Sequence, residues 1–133
     1  MALRFNVISA DDHVQETPDL WTQRLSKEKW GDKIPHVAQQ PDGSERWVIN
    51  GEVQEQSALA ATGALFESRH HQPTAWKDVP KASYDPQERL KAMDLDGIDV
   101  QVLYPTVSGV SGEVLGAIND PALQEACVQA YND

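Results

Sequence analysis

The stretch 85–104 constrains the fold of this chain more than any other part of its sequence. Residue types that favour the start and the end of a helix stand at the matching positions: Asp85, Pro86, Glu88 and Gly97. Residues 99–104 follow at once as an apolar run typical of a buried strand. A helix that leads straight into a buried strand is typical of the crossover of a βαβ unit, whose two strands lie parallel. The sequence therefore predicts a helix over Asp85–Asp96 and a parallel sheet.

The first strand of this unit is predicted at residues 5–9, and three ionisable residues lie just beyond it: Asp11, Asp12 and His13. In βα-barrels and doubly wound folds the active site forms at the carboxyl ends of the strands. Residues i and i+2 of an extended stretch point the same way, so Asp11 and His13 can converge on one cation. Because a carboxylate and an imidazole suit Zn²⁺, Mn²⁺ or Fe²⁺, we predict both residues as metal ligands. The alternative is that Asp11 caps the next turn and that His13 is an ordinary loop histidine.

Two aromatic residues are predicted to contact substrate. Tyr104 ends the second strand of the parallel sheet, on the same rim as Asp11 and His13. Trp21 lies in a short helix predicted over residues 17–25 and is a candidate for lining a pocket. The alternatives are a packed tyrosine at a strand end and an amphipathic helix that packs on the body of the protein.

A long insertion, about residues 17–83, separates the two predicted strands. Within it, residues 34–50 are predicted to form a β-hairpin outside the parallel sheet, because the Pro-Asp-Gly run at 41–43 supplies a turn. Residues 55–83 show no sustained period, and several of their side chains are predicted to cover a substrate: Leu65, Phe66, His70, His71 and Trp76. A solvated or structural role is the alternative for the two adjacent histidines.

The last predicted helix begins at Asp120-Pro121 and carries an apolar stripe typical of a core-facing helix: Leu123, Ala126, Cys127, Ala130 and Tyr131. No strand follows this helix within the 133 residues, although a βαβα order calls for one. We therefore expect the stripe to lack a covering strand, and residues 1–133 to be a partial domain of a larger barrel. A natural domain that ends on a helix is the alternative.

Composition and charge exclude several classes of protein. With 40% hydrophobic and 24% charged residues, the chain has the composition of a globular domain. Its net charge of −10 argues against nucleic acid as a partner, because binding to phosphates draws on clustered Lys and Arg. The single cysteine, Cys127, cannot form an internal disulfide, and no apolar run has the length of a signal peptide or a membrane helix. We expect a cytoplasmic protein without a membrane partner.

Several blocks of the sequence, taken in order, resemble the amino-terminal portion of the amidohydrolase-related family: Val7–Glu16, Pro18–Trp21, Ser83–Leu90, Met93-Asp94, Asp96–Asp99 and Val102–Thr106. That family includes metal-dependent TIM-barrel hydrolases and nonoxidative decarboxylases of the aminocarboxymuconate-semialdehyde and resorcylate type. Residues 34–80 match the family only loosely. The resemblance implies an α/β fold that is the amino-terminal fragment, about two βα units, of a TIM-type (β/α)8 barrel.

The resemblance also implies a metal site. By this resemblance, Asp11 and His13 are ligands of a divalent metal, Zn or Mn. This sequence departs from the double-histidine form of the family and matches its acid-plus-histidine subgroup. The family's remaining ligands, a His and an Asp from later strands, have no counterpart within the 133 residues. The fragment is therefore expected to hold the metal weakly or to lack it, and its catalytic acid or base is unknown.

Two functions from different classes follow. In the first, the chain is part of a metal-dependent hydrolase or nonoxidative decarboxylase that acts on a small carboxylated or cyclic substrate and is inactive as an isolated fragment. In the second, it is a non-catalytic module whose exposed barrel edges drive self-association or pairing with another chain. In both cases we expect an oligomer or a complementing chain instead of a stable monomer.

Overall fold

The computed structural model describes residues 5–54, 73–109 and 111–133. Within these residues the fold is mixed α/β, with a parallel pair of strands and a separate antiparallel sheet of three strands. The strands in chain order are β1 (Ile8–Val14), β2 (His36–Gln39), β3 (Glu45–Ile49), β4 (Glu52–Val53) and β5 (Val100–Pro105). The α-helices are α1 (Lys27–Trp30), α2 (Pro86–Asp96), α3 (Glu113–Gly116) and α4 (Pro121–Asn132), and short 3₁₀ helices cover Gly31–Lys33, Trp76–Asp78 and Lys81–Ser83.

The parallel pair places β1 beside β5, so the predicted parallel sheet is confirmed. β1 begins later and runs further than the strand predicted at residues 5–9, because its pairing with β5 continues as far as Pro105. Asp11 and His13 therefore lie inside the strand instead of on a loop after it. The register of the pair shifts between Ser9 and Asp12, where β1 carries an extra residue in the manner of a β-bulge.

Helix α2 crosses from one strand of the pair to the other, and its ends are formed as the sequence predicts. The Asp85 carboxylate accepts hydrogen bonds from the backbone N–H groups of Gln87 at 2.8 Å and Glu88 at 3.3 Å. Gly97 adopts a left-handed conformation with φ of 69°, and its N–H donates to the carbonyl of Met93. These bonds satisfy backbone groups that a helix end otherwise leaves unpaired.

The predicted hairpin is confirmed, and it lies outside the parallel pair. β2 and β3 pair antiparallel with Val37 opposite Trp47, and β4 extends the sheet on the other side of β3. In the turn, the Asp42 carboxylate accepts from the N–H of Ser44 at 2.9 Å and from its hydroxyl at 2.6 Å, which lowers the pKa of Asp42. The turn is thus closed by its own side chains, which explains why it could be predicted locally.

The hydrophobic core lies between the antiparallel sheet and α4, away from the parallel pair. Trp21 and Trp47 are fully buried and meet edge to face with ring centroids 5.6 Å apart. The indole N–H of Trp21 donates to the carbonyl of Cys127 at 3.0 Å. Leu123 and Ala130 belong to the same buried cluster. Two tryptophans therefore bind α4 to the hairpin through apolar packing and one hydrogen bond.

The apolar stripe of α4 corrects one expectation. Helix α4 forms where it is predicted. Leu123, Cys127 and Ala130 are buried in the core cluster, so the expectation that the stripe lacks a cover is wrong. Trp21, which packs on Trp47 of the hairpin, contacts α4 at Cys127 and Tyr131 and supplies part of the cover. The sequence hides this because Trp21 lies 106 positions before Cys127, where no local spacing marks it as a partner of α4.

A second expectation is corrected at residues 17–25, where the predicted helix is a run of turns. The N–H of Gln23 reaches back four residues to Asp19, whereas the N–H of Arg24 reaches back three to Trp21. Mixed bonds of this kind do not propagate as an α-helix. Complete burial of the Trp21 side chain fixes the segment, so tertiary packing outweighs the local helix signals.

Most residues of the predicted substrate cover lie in a part of the chain that the structure does not describe. Leu65, Phe66, His70 and His71 lie outside the described residues. Trp76 is described, and its ring packs beside that of Tyr84 with centroids 5.0 Å apart. Its place in a substrate cover stays a prediction.

Truncation of α4 on its buried face tests the corrected core. Leu123→Ala should lower the free energy of unfolding by about 2–5 kcal/mol, because it leaves a cavity in the buried cluster to which the two tryptophans belong. Val128→Ala on the exposed face of the same helix is the control and should change stability little. Urea unfolding followed by tryptophan fluorescence measures both variants. Equal losses would show that α4 does not pack as described.

Candidate functional site

The candidate site lies where β1, β5 and α2 enclose a cleft of about 270 Å³. Asp11, Asp12 and His13 line the cleft from β1, Gln101 lines it from β5, and Arg89 lines it from α2. Asp96 of α2 is a sixth polar residue of the lining, and the six come from three elements that the parallel crossover brings together. The cleft therefore gathers the ionisable residues that the sequence singled out, together with an arginine that it did not.

The contacts of Asp12 differ from those of Asp11 and His13. The side-chain amide of Gln101 donates to one carboxylate oxygen of Asp12 at 3.2 Å. The other oxygen is buried and has no hydrogen-bond partner among the described residues. Burial lowers the pKa of Arg89, and the negative charge of Asp12 acts in the opposite direction, which places Asp12 near the guanidinium. Asp12 is thus held by Gln101 from β5 on the side of the cleft that Arg89 of α2 lines.

Arg89 fixes the backbone at the end of β1. Its guanidinium donates to the carbonyl of His13 at 2.7 Å, to the carbonyl of Ser83 at 3.2 Å and to the side-chain oxygen of Gln101 at 3.2 Å. A planar group with several donors in a fixed arrangement suits this threefold contact. Sequence reasoning missed Arg89, because an arginine within a well-capped helix is indistinguishable from a solvent-facing one.

His13 and Tyr104 are brought together by the strand register. The two residues stand opposite each other in the ladder, and their rings lie with centroids 6.3 Å apart and planes inclined by 49°. Both side chains are partly buried. Tyr104 therefore lies beside His13 at the carboxyl end of the pair, where a group that contacts substrate is expected. Contact with substrate itself stays a prediction.

Asp11 and Trp21 occupy different surroundings. Asp11 is exposed on β1 within the same cleft, and its convergence with His13 on one cation stays a prediction. Trp21 has no exposed surface, and its described contacts are those of the core. The packing alternative accounts for every contact of Trp21, so we do not include it in the site that we propose.

The chemical types of the Asp11 and His13 donors suit a divalent metal, but two donors are few for a metal site. A carboxylate and an imidazole are ligands of Zn²⁺ and Mn²⁺ in many proteins. Among the described residues, however, no group of three or more His, Cys, Asp or Glu side chains is placed to hold a metal ion. Asp11 and His13 would thus form part of a ligand set, and a catalytic site needs about three protein ligands.

Glu16 is the functional candidate that sequence reasoning passed over. Its side chain is 4% exposed, and its carboxylate accepts from the backbone N–H groups of Thr106 at 3.2 Å, Val107 at 2.9 Å and Ser108 at 3.0 Å. The hydroxyl of Ser108 donates to it as well, at 2.9 Å. We call this arrangement the Glu16 clasp. Its only local signal is a glutamate among ionisable residues after an apolar run, so its partners could not be foreseen.

The clasp also influences a residue of the core. Burial raises the pKa of Tyr131 on α4, and the negative charge of Glu16 adds to that rise. The carboxylate therefore lies close enough to α4 for its charge to act on Tyr131.

Comparison with protein-family models gives no match to this chain, and comparison with curated proteins gives none either. In the described part of the chain, no helix has the length and apolar character needed to cross a membrane.

Removal of the Arg89 guanidinium tests how the site is held. Arg89→Met should lower the free energy of unfolding by about 1–2 kcal/mol, because two carbonyls and the side-chain oxygen of Gln101 lose their hydrogen-bond donor while solvent replaces part of that loss. Lys91→Met on the same helix is the control, since Lys91 is exposed and its ion pair is with the partly exposed Glu88 carboxylate. Urea unfolding should show a clearly smaller effect for Lys91→Met. Similar effects in the two variants would contradict a structural role for Arg89.

Proposed function

We propose that this chain contributes the first metal-binding strand of a metal-dependent hydrolase or nonoxidative decarboxylase. The substrate that we propose is a small carboxylated or cyclic molecule. The observation that supports the proposal best is the placement of His13 beside Tyr104 at the carboxyl end of a parallel pair whose crossover helix is α2. Parallel sheets with helical crossovers carry their sites at that end. In this proposal the strand belongs to a TIM-type barrel.

Each residue has a distinct role in the proposed site. Asp11 and His13 supply an oxygen and a nitrogen donor, and Zn or Mn bound there would polarise a substrate oxygen or a water molecule. Arg89 holds the carbonyl of His13 and so restricts the backbone from which the imidazole projects. The Tyr104 hydroxyl is proposed to donate a hydrogen bond to an oxygen of the substrate. Asp12 is held by Gln101 and is left out of the ligand set.

The two donors also limit what the chain can do alone. A metal held by two side chains binds weakly, because affinity falls with each missing donor. We therefore propose that the 133 residues lack useful activity unless further donors join the site. We propose a cytoplasmic location, because the single cysteine, Cys127, cannot form an internal disulfide. We exclude nucleic acid as a partner because of the net charge of −10.

Metal titration tests the proposed ligands. The chain should bind Zn²⁺ or Mn²⁺ weakly, and Asp11→Asn or His13→Ala should reduce that affinity at least about tenfold, since each removes one of two donors. His36→Ala is the matched control, because His36 lies on the separate antiparallel sheet with its Nδ1 bonded to the carbonyl of Ile34. Calorimetric titration measures all variants. Unchanged affinity in His13→Ala would refute the site.

A second candidate function is a non-catalytic module that associates through the parallel pair. Val102 and Leu103 are 43% and 42% exposed, and neighbouring residues of a strand point to opposite faces. Both faces of β5 are therefore partly open at this point. In the described part of the chain, neither β1 nor β5 has a further strand on its outer edge. Open edges beside apolar side chains favour pairing with a second copy or with another chain.

Sedimentation velocity tests the second candidate. The chain should form dimers or larger species whose proportion rises with concentration, and Leu103→Lys should shift it to monomers by placing a charge on the open face. Leu95→Lys is the control, because Leu95 is 87% exposed on α2 and lies off the strand pair. A chain that stays monomeric across the concentration range would exclude self-association. A loss of dimers in Leu95→Lys alone would place the contact on α2.

A further inference from the structure

We infer that Glu16 is a positioning residue for the site at the carboxyl end of the parallel pair. The inference deepens the proposed function and rests on it, because it concerns the placement of the same His13 imidazole. Its basis is the Glu16 clasp, in which one buried carboxylate receives four hydrogen bonds from residues 106–108. The contacts span about ninety positions of the sequence and join the segments that leave the two strands.

The clasp acts on both segments close to the proposed site. Glu16 follows His13 by three residues, and Thr106 follows Tyr104 by two. On the opposite side, Ser83 accepts from the N–H of Gln15 at 2.8 Å while Arg89 donates to the carbonyl of His13. Residues 13–16 are thus held from two directions, by α2 and its preceding turn and by the segment after β5. Loss of either support lets His13 move relative to Tyr104.

A carboxylate suits this place because every partner is a donor. Three successive backbone N–H groups and one hydroxyl present their hydrogens, and two carboxylate oxygens have enough lone pairs to accept all of them. A glutamine of nearly the same size would direct its NH₂ group at one or more of these donors. Aspartate keeps the acceptors but is one methylene shorter, so the two segments would have to approach each other. Glu16→Gln therefore changes the bonding of the clasp while it nearly preserves the volume.

The experiment compares the chain with Glu16→Gln, with Ser108→Ala, which removes one of the four bonds, and with Glu125→Gln on the exposed face of α4 as the control. NMR spectroscopy records the ring signals of His13 and their contact with the Tyr104 ring. Amide signals of the hairpin show whether each variant is folded. Titration with Co²⁺ alone, against His13→Ala as the background, measures affinity at the proposed ligands.

The inference predicts a graded result. Glu16→Gln should displace the His13 ring signals, weaken the contact with Tyr104 and reduce Co²⁺ affinity about tenfold or more, because several charge-assisted bonds are lost. Ser108→Ala should cause smaller changes in the same direction, and Glu125→Gln should cause none. A role limited to overall stability would leave the His13 signals and the affinity of the folded variant unchanged.

The outcomes separate the inference from the proposed function. Unchanged His13 signals in a folded Glu16→Gln variant overturn the inference, even if Co²⁺ binds as proposed. Absence of Co²⁺ binding in the unaltered chain overturns the metal site, and the ring signals then decide the role of Glu16 by themselves. If Glu16→Gln fails to fold, Ser108→Ala decides: an unaltered contact between His13 and Tyr104 in that variant overturns the inference.

Discussion

The buried carboxylate of Glu16 is the interaction on which the arrangement of the candidate site depends. A charge taken out of water is costly unless hydrogen bonds replace its hydration, and here three backbone N–H groups and a hydroxyl do so. The bonds hold the segment after β5 against the end of β1. The two strands share a ladder, but the ladder stops at Val14 and Pro105. Beyond that point, the clasp joins the two segments.

Different kinds of interaction stabilise the antiparallel sheet and the parallel pair. Apolar burial holds the antiparallel sheet to α4, with Trp21, Trp47 and Leu123 at its centre. The parallel pair has little such burial, since several apolar side chains on it are exposed and no residue of α2 is buried. Directional bonds from Arg89 and Glu16 define the geometry there. The backbone at such a site has a well-defined position when all of its hydrogen bonds are formed. Loss of one bond therefore disturbs that position more than it would in a tightly packed core.

Sequence reasoning succeeded where the structure is determined by neighbours in the chain. The caps of α2, the turn closed by Asp42 and the stripe of α4 depend on residues within a few positions of one another. It failed where partners are remote. Trp21 binds the carbonyl of Cys127, 106 positions away, and that packing replaces the predicted helix by turns. Arg89 and Glu16 contact backbone groups, whose positions no side-chain pattern reveals.

The exposed apolar residues of the parallel pair bear on both proposed functions at once. Two strands cannot bury both of their faces, and α2 leaves Val102 and Leu103 partly open. In a barrel, further strands would extend the sheet, and the same strands would bring the additional metal donors that Asp11 and His13 require. In an associating module, a second chain would occupy the edges without adding donors. The two proposals therefore differ in what completes the sheet, and the number of donors that arrive with it decides between catalysis and simple association.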